Sequence, residues 1–258
     1  MSPNDPQFGV LLVVHGTRDR RGVAEALRAL TMIGERVAPR PVELGFIELA
    51  EPDIGSAVER LVQRGVRRLT VAPLMLLAAD HVKQDIPRMI GTALSGSDIE
   101  SVYAQPLDTH PLVLETSARR LAEQVGGSEV ADALVLLVGR GSGDPEAIAR
   151  FEEFARLRRL STSAAEIRTC YLAAAHPRFE QAVEEAGLAR QHRVVVQPHL
   201  LFQGRLMQQL EVDVAAAQSR DRSRKWLLCR HLGPDELIVD AVLARLAEAE
   251  TSHGPCRT

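Results

Sequence analysis

The chain repeats itself once, at a constant offset of 125 residues, and that repeat limits what it can fold into. "LLVVHGT" (residues 11–17) matches "LLVGRGS" (136–142), and "FIELAEPDIGSAVE" (46–59) matches "YLAAAHPRFEQAVE" (171–184). "LTVAPLML" (69–76) matches "VVVQPHLL" (194–201), which pairs Pro73 with Pro198. "PLDTHPLVLETSARRLAE" (106–123) matches "HLGPDELIVDAVLARLAE" (231–248). A register kept across separate blocks marks two copies of one small domain. The unit is much longer than a solenoid repeat, and 258 residues suffice for two domains of this size.

Each copy alternates apolar runs with amphipathic segments. In the first copy, strands are expected at 9–14, 42–48, 68–73 and 99–104, and helices at 21–37, 54–64, 81–94 and 111–125. Leu27, Leu30, Ile33 and Val37 show the three- and four-residue spacing of a helix face. Strand–helix alternation implies right-handed crossovers and a parallel sheet covered on both faces. The expected architecture is therefore α/β: two tandem domains, 1–127 and 128–258, around a central cleft. Periodicity lapses at "GGSEVAD" (126–132), the expected linker.

Composition narrows the function classes. Aromatic residues make up 3% of the chain and the net charge is −3, which argues against a nucleic-acid partner. All but two of the 31 basic residues, Lys83 and Lys225, are arginine, a side chain suited to forked contacts with carboxylates. Cys170, Cys229 and Cys256 are widely spaced and suggest neither a disulfide framework nor a cysteine metal motif. The N-terminal residues have no signal pattern and no run reaches membrane-spanning length, so a cytoplasmic protein without a membrane partner is expected.

The chemistry should lie beyond the carboxyl ends of the strands, where ligands bind in such sheets. His15 ends the first strand, after five aliphatic residues, and an imidazole there needs a partner: a carboxylate, a substrate or a metal ion. Glu48 ends the second strand and His81 opens the helix that follows the third. Two imidazoles and a carboxylate form a mixed N/O donor set suited to Fe, Co, Ni or Zn rather than Mg or Ca. Taken singly, each has a plain structural explanation: a hydrogen-bonded strand-end histidine, a helix cap, a first-turn surface residue.

The second copy serves as a control. Arg140 stands where His15 does, Ala173 where Glu48 does, and Arg205 takes the place of His81 after a one-residue shortening of the loop. A guanidinium has no lone pair to give a metal, but it matches carboxylates. One copy is thus expected to hold a metal ion and the other acidic groups. Gly16 and Thr17, next to His15, join Arg140 and Arg205 as expected substrate contacts.

At "VVHGT", "GFIELAEPDI" and "VAPLMLLAADHVKQDIP", with "LVGRGSGDP" and "LLFQGRL" in the second copy, the chain resembles the sirohydrochlorin chelatases, the CbiX/SirB-type class II chelatases, in their two-domain form. The resemblance spans about residues 9–248. It implies two flavodoxin-like halves and insertion of Co(II), Fe(II) or Ni(II) into sirohydrochlorin, with cobalt placed first and iron close behind. It implies no organic cofactor; the metal ion is a substrate. His15 and His81 then take the metal-binding and proton-handling roles, Glu48 is their acidic partner, and the product feeds cobalamin or sirohaem synthesis. Asp80, where the family usually has a small residue, and Arg18, Arg20 and Arg21 are left open as participants. The tetrapyrrole is a polycarboxylate, which gives the arginines partners, and a monomer with internal pseudo-twofold symmetry is expected. Two other functions are weighed: a non-catalytic tetrapyrrole or metal carrier, and a histidine phosphatase. The second is weakened because Val14 stands where that chemistry needs an arginine. "GRGSGDP" (139–145) lacks full dinucleotide-loop spacing and fits an ordinary strand–helix turn.

Overall fold

The computed structural model describes residues 7–77 and 84–252, the side chains of 127–129 excepted. Two compact units emerge, and neither follows the boundaries of the repeat. One comprises residues 1–107 with 234–258, the other residues 108–233.

In the first unit, strands β1 (Phe8–Val14), β2 (Val42–Phe46), β3 (Arg68–Pro73) and β4 (Glu100–Tyr103) form a parallel sheet of order β2-β1-β3-β4. Helices α1 (Arg20–Val37), α2 (Ile54–Gln63) and α3 (Ile86–Ala93) connect them. Val10 to Val13 are fully buried, as a strand covered on both faces requires. Leu11 and Val13 pack with Ile54, Val58 and Leu61 of α2 and Ile86 and Ile90 of α3. The sheet order is that of a flavodoxin-like domain, with its switch point between β1 and β3.

The second unit repeats this plan. Strands β5 (Ala133–Gly139), β6 (Glu166–Tyr171), β7 (Arg193–Pro198) and β8 (Lys225–Leu228) have the order β6-β5-β7-β8. Its connecting helices are α5 (Pro145–Leu160), α6 (Phe179–Ala186) and α7 (Arg205–Arg220). Every residue of β5 is buried.

The units differ from the continuous domains 1–127 and 128–258 suggested by the repeat, because the closing helices change places. Helix α4 (Pro111–Val125), encoded by the first repeat, packs on α5, β7 and β8. Helix α8 (Glu236–Ser252), encoded by the second, packs on α1, β3 and β4. Polar contacts give each helix its address. Glu250 of α8 meets buried Arg40 at 2.6 Å and accepts a hydrogen bond from Thr70 at 2.8 Å. On the second sheet the equivalent positions are Ala165 and Val195, where Glu250 would be stranded at a cost on the order of 3–5 kcal/mol. Conversely, Ser117 of α4 accepts from buried Arg158 at 3.0 Å, and its carbonyl accepts from Gln197. Ile33 and Ala72 occupy those positions in the first unit. The expected linker holds a short 3-10 helix, Gly127–Asp132.

Candidate active site

The site grows out of the switch point of each sheet. Beyond β1 and β2 the backbone ladder continues: the Ile47 amide donates to Val14 O at 2.9 Å and the Glu48 amide to His15 O at 3.1 Å. Glu48 therefore lies two residues past the end of β2 rather than at its last position, and is still held beside His15. Gly16 makes this approach possible. Its φ is +105°, and a Cβ there would stand 1.8 Å from the Glu48 carbonyl oxygen. Only glycine fits both demands.

The two side chains meet. His15 Nε2 lies 3.1 Å from Glu48 Oε1, and the side chains keep 35% and 52% of their exposure, so both the ring and the carboxylate are open to solvent or ligand. The loop after Gly16 is also ordered: Thr17 Oγ1 accepts from the Asp19 amide at 3.1 Å, and Asp19 caps α1 through the Arg21 amide at 2.9 Å. Arg21 lies 3.6 Å from the Asp19 carboxylate, while Arg18 and Arg20 are exposed.

Asp80 and His81, with the expected start of the third helix, lie outside the described residues. Helix α3 is described from Ile86 onward. Among the described residues no group of three or more His, Cys, Asp or Glu is arranged to hold a metal ion. Of the three expected donors, His15 and Glu48 lie among the described residues and stand side by side.

The second unit reproduces the backbone of this site with different side chains. The Leu172 amide donates to Gly139 O and the Ala173 amide to Arg140 O, at 3.0 and 2.9 Å. Gly141 has φ +85°, and a Cβ there would lie 1.7 Å from the Ala173 oxygen. Ser142 and Asp144 form the same relay into α5 as Thr17 and Asp19 form into α1. The "GRGSGDP" stretch is thus a strand–helix turn in which the Asp144 amide, and the Glu146 amide just after it, are already engaged. Arg140, at the end of β5, is exposed, as is Arg205, the first residue of α7. Neither joins an ion pair among the described residues. A cation at a helix N-terminus faces the positive end of the dipole, and α7 has no side-chain cap. Both features favour an anion at that point.

Two residues outside the sequence expectations deserve comparison with these. Leu49 follows Glu48 with φ 65° and is 48% exposed, an apolar rim beside the carboxylate. Ala174 has the same left-handed backbone in the second unit, so the conformation belongs to the loop and only the leucine is particular to the first site. His199 follows β7 just as His15 follows β1, yet it is buried and packs against Phe154 with ring centroids 4.2 Å apart and the rings tilted by 45°. Burial pulls its pKa down to about 3, so it stays neutral at physiological pH. A strand-end position alone does not distinguish these two histidines; exposure does.

The CbiX family model matches the chain twice, over residues 9–124 and 134–249. The chain belongs to the CbiX family. Among its relatives, the sirohydrochlorin ferrochelatase of Priestia megaterium is 32% identical over 230 residues, covering 89% of this chain and 85% of that one. The sirohydrochlorin cobaltochelatase of the same organism is 30% identical over 227 residues, covering 87% and 74%. SirB from Bacillus subtilis with Fe3+ superimposes with a TM-score of 0.85 at 28% identity, over 96% of this chain and 97% of that one. SirB from Bacillus subtilis subspecies spizizenii in complex with cobalt gives 0.79 at 27%, over 94% of each. The two family matches coincide with the sequence repeat, while the compact units cut across it through the exchange of α4 and α8.

Proposed function

We propose that this chain is a sirohydrochlorin chelatase that inserts Co(II) or Fe(II) into the tetrapyrrole, with the metal site in the first unit and the carboxylate-binding arginines in the second. The observation that carries the assignment is the His15–Glu48 pair, 3.1 Å apart and open, set against Arg140 and Ala173 on the same backbone. Family membership and relatives named for both metals support the reaction class.

Insertion exchanges a dication for two pyrrole N–H protons, so the total charge of the macrocycle is unchanged. The protein must hold the ion as its water is stripped and carry two protons away. The neutral His15 imidazole offers a lone pair to the ion or to a proton near neutral pH. Glu48 can take a proton from His15 Nε2 and release it to solvent. His81 supplies the second imidazole. The approaching ion lowers the pKa of the N–H groups it displaces. Arg140 and Arg205 engage substrate carboxylates as forked donors. The Thr17 hydroxyl, whose oxygen accepts from Asp19, keeps its proton to donate to the substrate. We further propose that the protein works as a cytoplasmic monomer; among the described residues no helix is long and apolar enough to cross a membrane.

The test is an anaerobic absorbance assay with sirohydrochlorin and Co(II), Fe(II) and Ni(II) in parallel. Multiple turnovers are expected with cobalt or iron, and loss of most activity in folded His15→Ala and His81→Ala variants. Stoichiometric binding without release of metallated product would overturn the enzyme in favour of a carrier.

A further inference from the structure

A pocket of about 750 Å³ opens at the amino ends of the strands in the second unit. Arg140 and Arg205 follow the carboxyl ends of β5 and β7, about 20 Å away along a six-residue strand. Five cations line the pocket, Arg190, Arg193, Arg222, Arg224 and Lys225, against one lining carboxylate, Asp132. Arg224 is neutralised by Asp221 at 2.6 Å. Arg190, Arg222 and Lys225 are exposed and join no ion pair among the described residues.

The first unit shows that the fold does not need this charge. There Arg68 of β3 is in register with Glu100 of β4, and the two form an ion pair at 3.3 Å. At the same register point in the second unit, Arg193 of β7 faces Lys225 of β8. Strands in register present side chains to the same face, where like charges repel. Gly65, Ser97 and Ile99 occupy the places of Arg190, Arg222 and Arg224. Glu100 of the first unit is thus replaced by the cation Lys225, and Arg190 and Arg222 add two exposed cations beside it, while Arg67 of the first unit gives way to His192.

We propose that this pocket binds a compact polyanion, a small molecule with two or more phosphate or carboxylate groups. Its size suits a small ligand, and arginine forks match both groups bidentately. The net charge of −3 disfavours an extended polyanion, which would meet the acidic remainder of the surface. The proposal is independent of the metal site and stands whether or not the chelatase assignment does.

Calorimetric titration of the full chain with inorganic tripolyphosphate and, separately, with propane-1,2,3-tricarboxylate tests it. At low salt at least one anion should bind with a dissociation constant below about 1 mM, and raising salt to about 0.3 M should weaken it. Which anion binds identifies the ligand group. Lys225→Glu and Arg222→Ser, the residues of the first unit, should each weaken binding about tenfold or more. The proposal fails if neither anion binds at low salt, or if both variants bind as the parent does. It also fails if binding survives Lys225→Glu but disappears in Arg140→Ala/Arg205→Ala.

Discussion

Replacing His199 by leucine, the residue at the matching position Leu74, should flatten the acid side of the stability profile. His199 is buried, lies against Phe151 and Phe154, and has a pKa lowered from 6.5 to about 3 by desolvation. In the unfolded chain the same ring titrates near 6.5. Between these values the unfolded state binds one more proton than the folded state, so stability falls as pH drops below about 6.5. The loss is about 2 kcal/mol at pH 5 and approaches about 5 kcal/mol near pH 3, at 1.36 kcal/mol per pH unit. At pH 7.5 the leucine variant should be within about 1.5 kcal/mol of the parent, since it exchanges ring packing for removal of two unbonded buried nitrogens. Trp226, the single tryptophan, is buried in the same unit and reports its unfolding. Urea titrations followed by its fluorescence at pH 7.5, 6 and 5 give the difference between variant and parent, from which the shared carboxylates cancel. That difference should move by about 2 kcal/mol in favour of leucine between pH 7.5 and 5. Parallel profiles would refute the assignment of a neutral, desolvated imidazole.

Substituting Arg140 or Arg205 by alanine should raise KM for sirohydrochlorin with a smaller change in kcat, because the role proposed for both is to grip substrate carboxylates remote from the reacting nitrogens; equal losses in both constants would place them in the chemistry instead. Gly16→Ala should cost at least about 2 kcal/mol in chemical denaturation and lower activity by displacing Glu48, since it combines positive φ with a backbone clash. Gly65→Ala, at φ +83° with nothing within 4 Å of the added Cβ, should cost only about 1 kcal/mol. Equal costs would remove the argument that Gly16 is there for close approach.

Much of the fold was legible because it rests on long, local patterns. The apolar run of β1, the repeat of Pro73 at Pro198 and the spacing along α1 each constrain several residues at once. Strand β3 and helix α4 run over the residues expected for them. The exchange of α4 and α8 was not legible, because both helices carry the same amphipathic signal and either would cover either sheet. Their destinations depend on single polar residues, Glu250 with Arg40 and Ser117 with Arg158, whose partners are distant in the sequence. The His15–Glu48 pairing was foreseeable from the sheet type, although Glu48 sits beyond the strand rather than at its end. The burial of His199 was not foreseeable: its place after β7 matches that of His15 after β1, and Phe151 and Phe154 of α5, which pack on it, are distant in the sequence. The basic pocket was not legible because its cations are scattered over 36 positions, from Arg190 to Lys225, and gather only where β7 and β8 start side by side.

The most direct test of the account is to give the first site the side chains of the second, in the folded His15→Arg/Glu48→Ala variant, and measure Co(II) affinity anaerobically by calorimetry. The account predicts stoichiometric Co(II) binding by the parent and a loss of at least about a hundredfold in affinity in the variant, with Trp226 fluorescence unchanged. Undiminished Co(II) binding by the variant would contradict it.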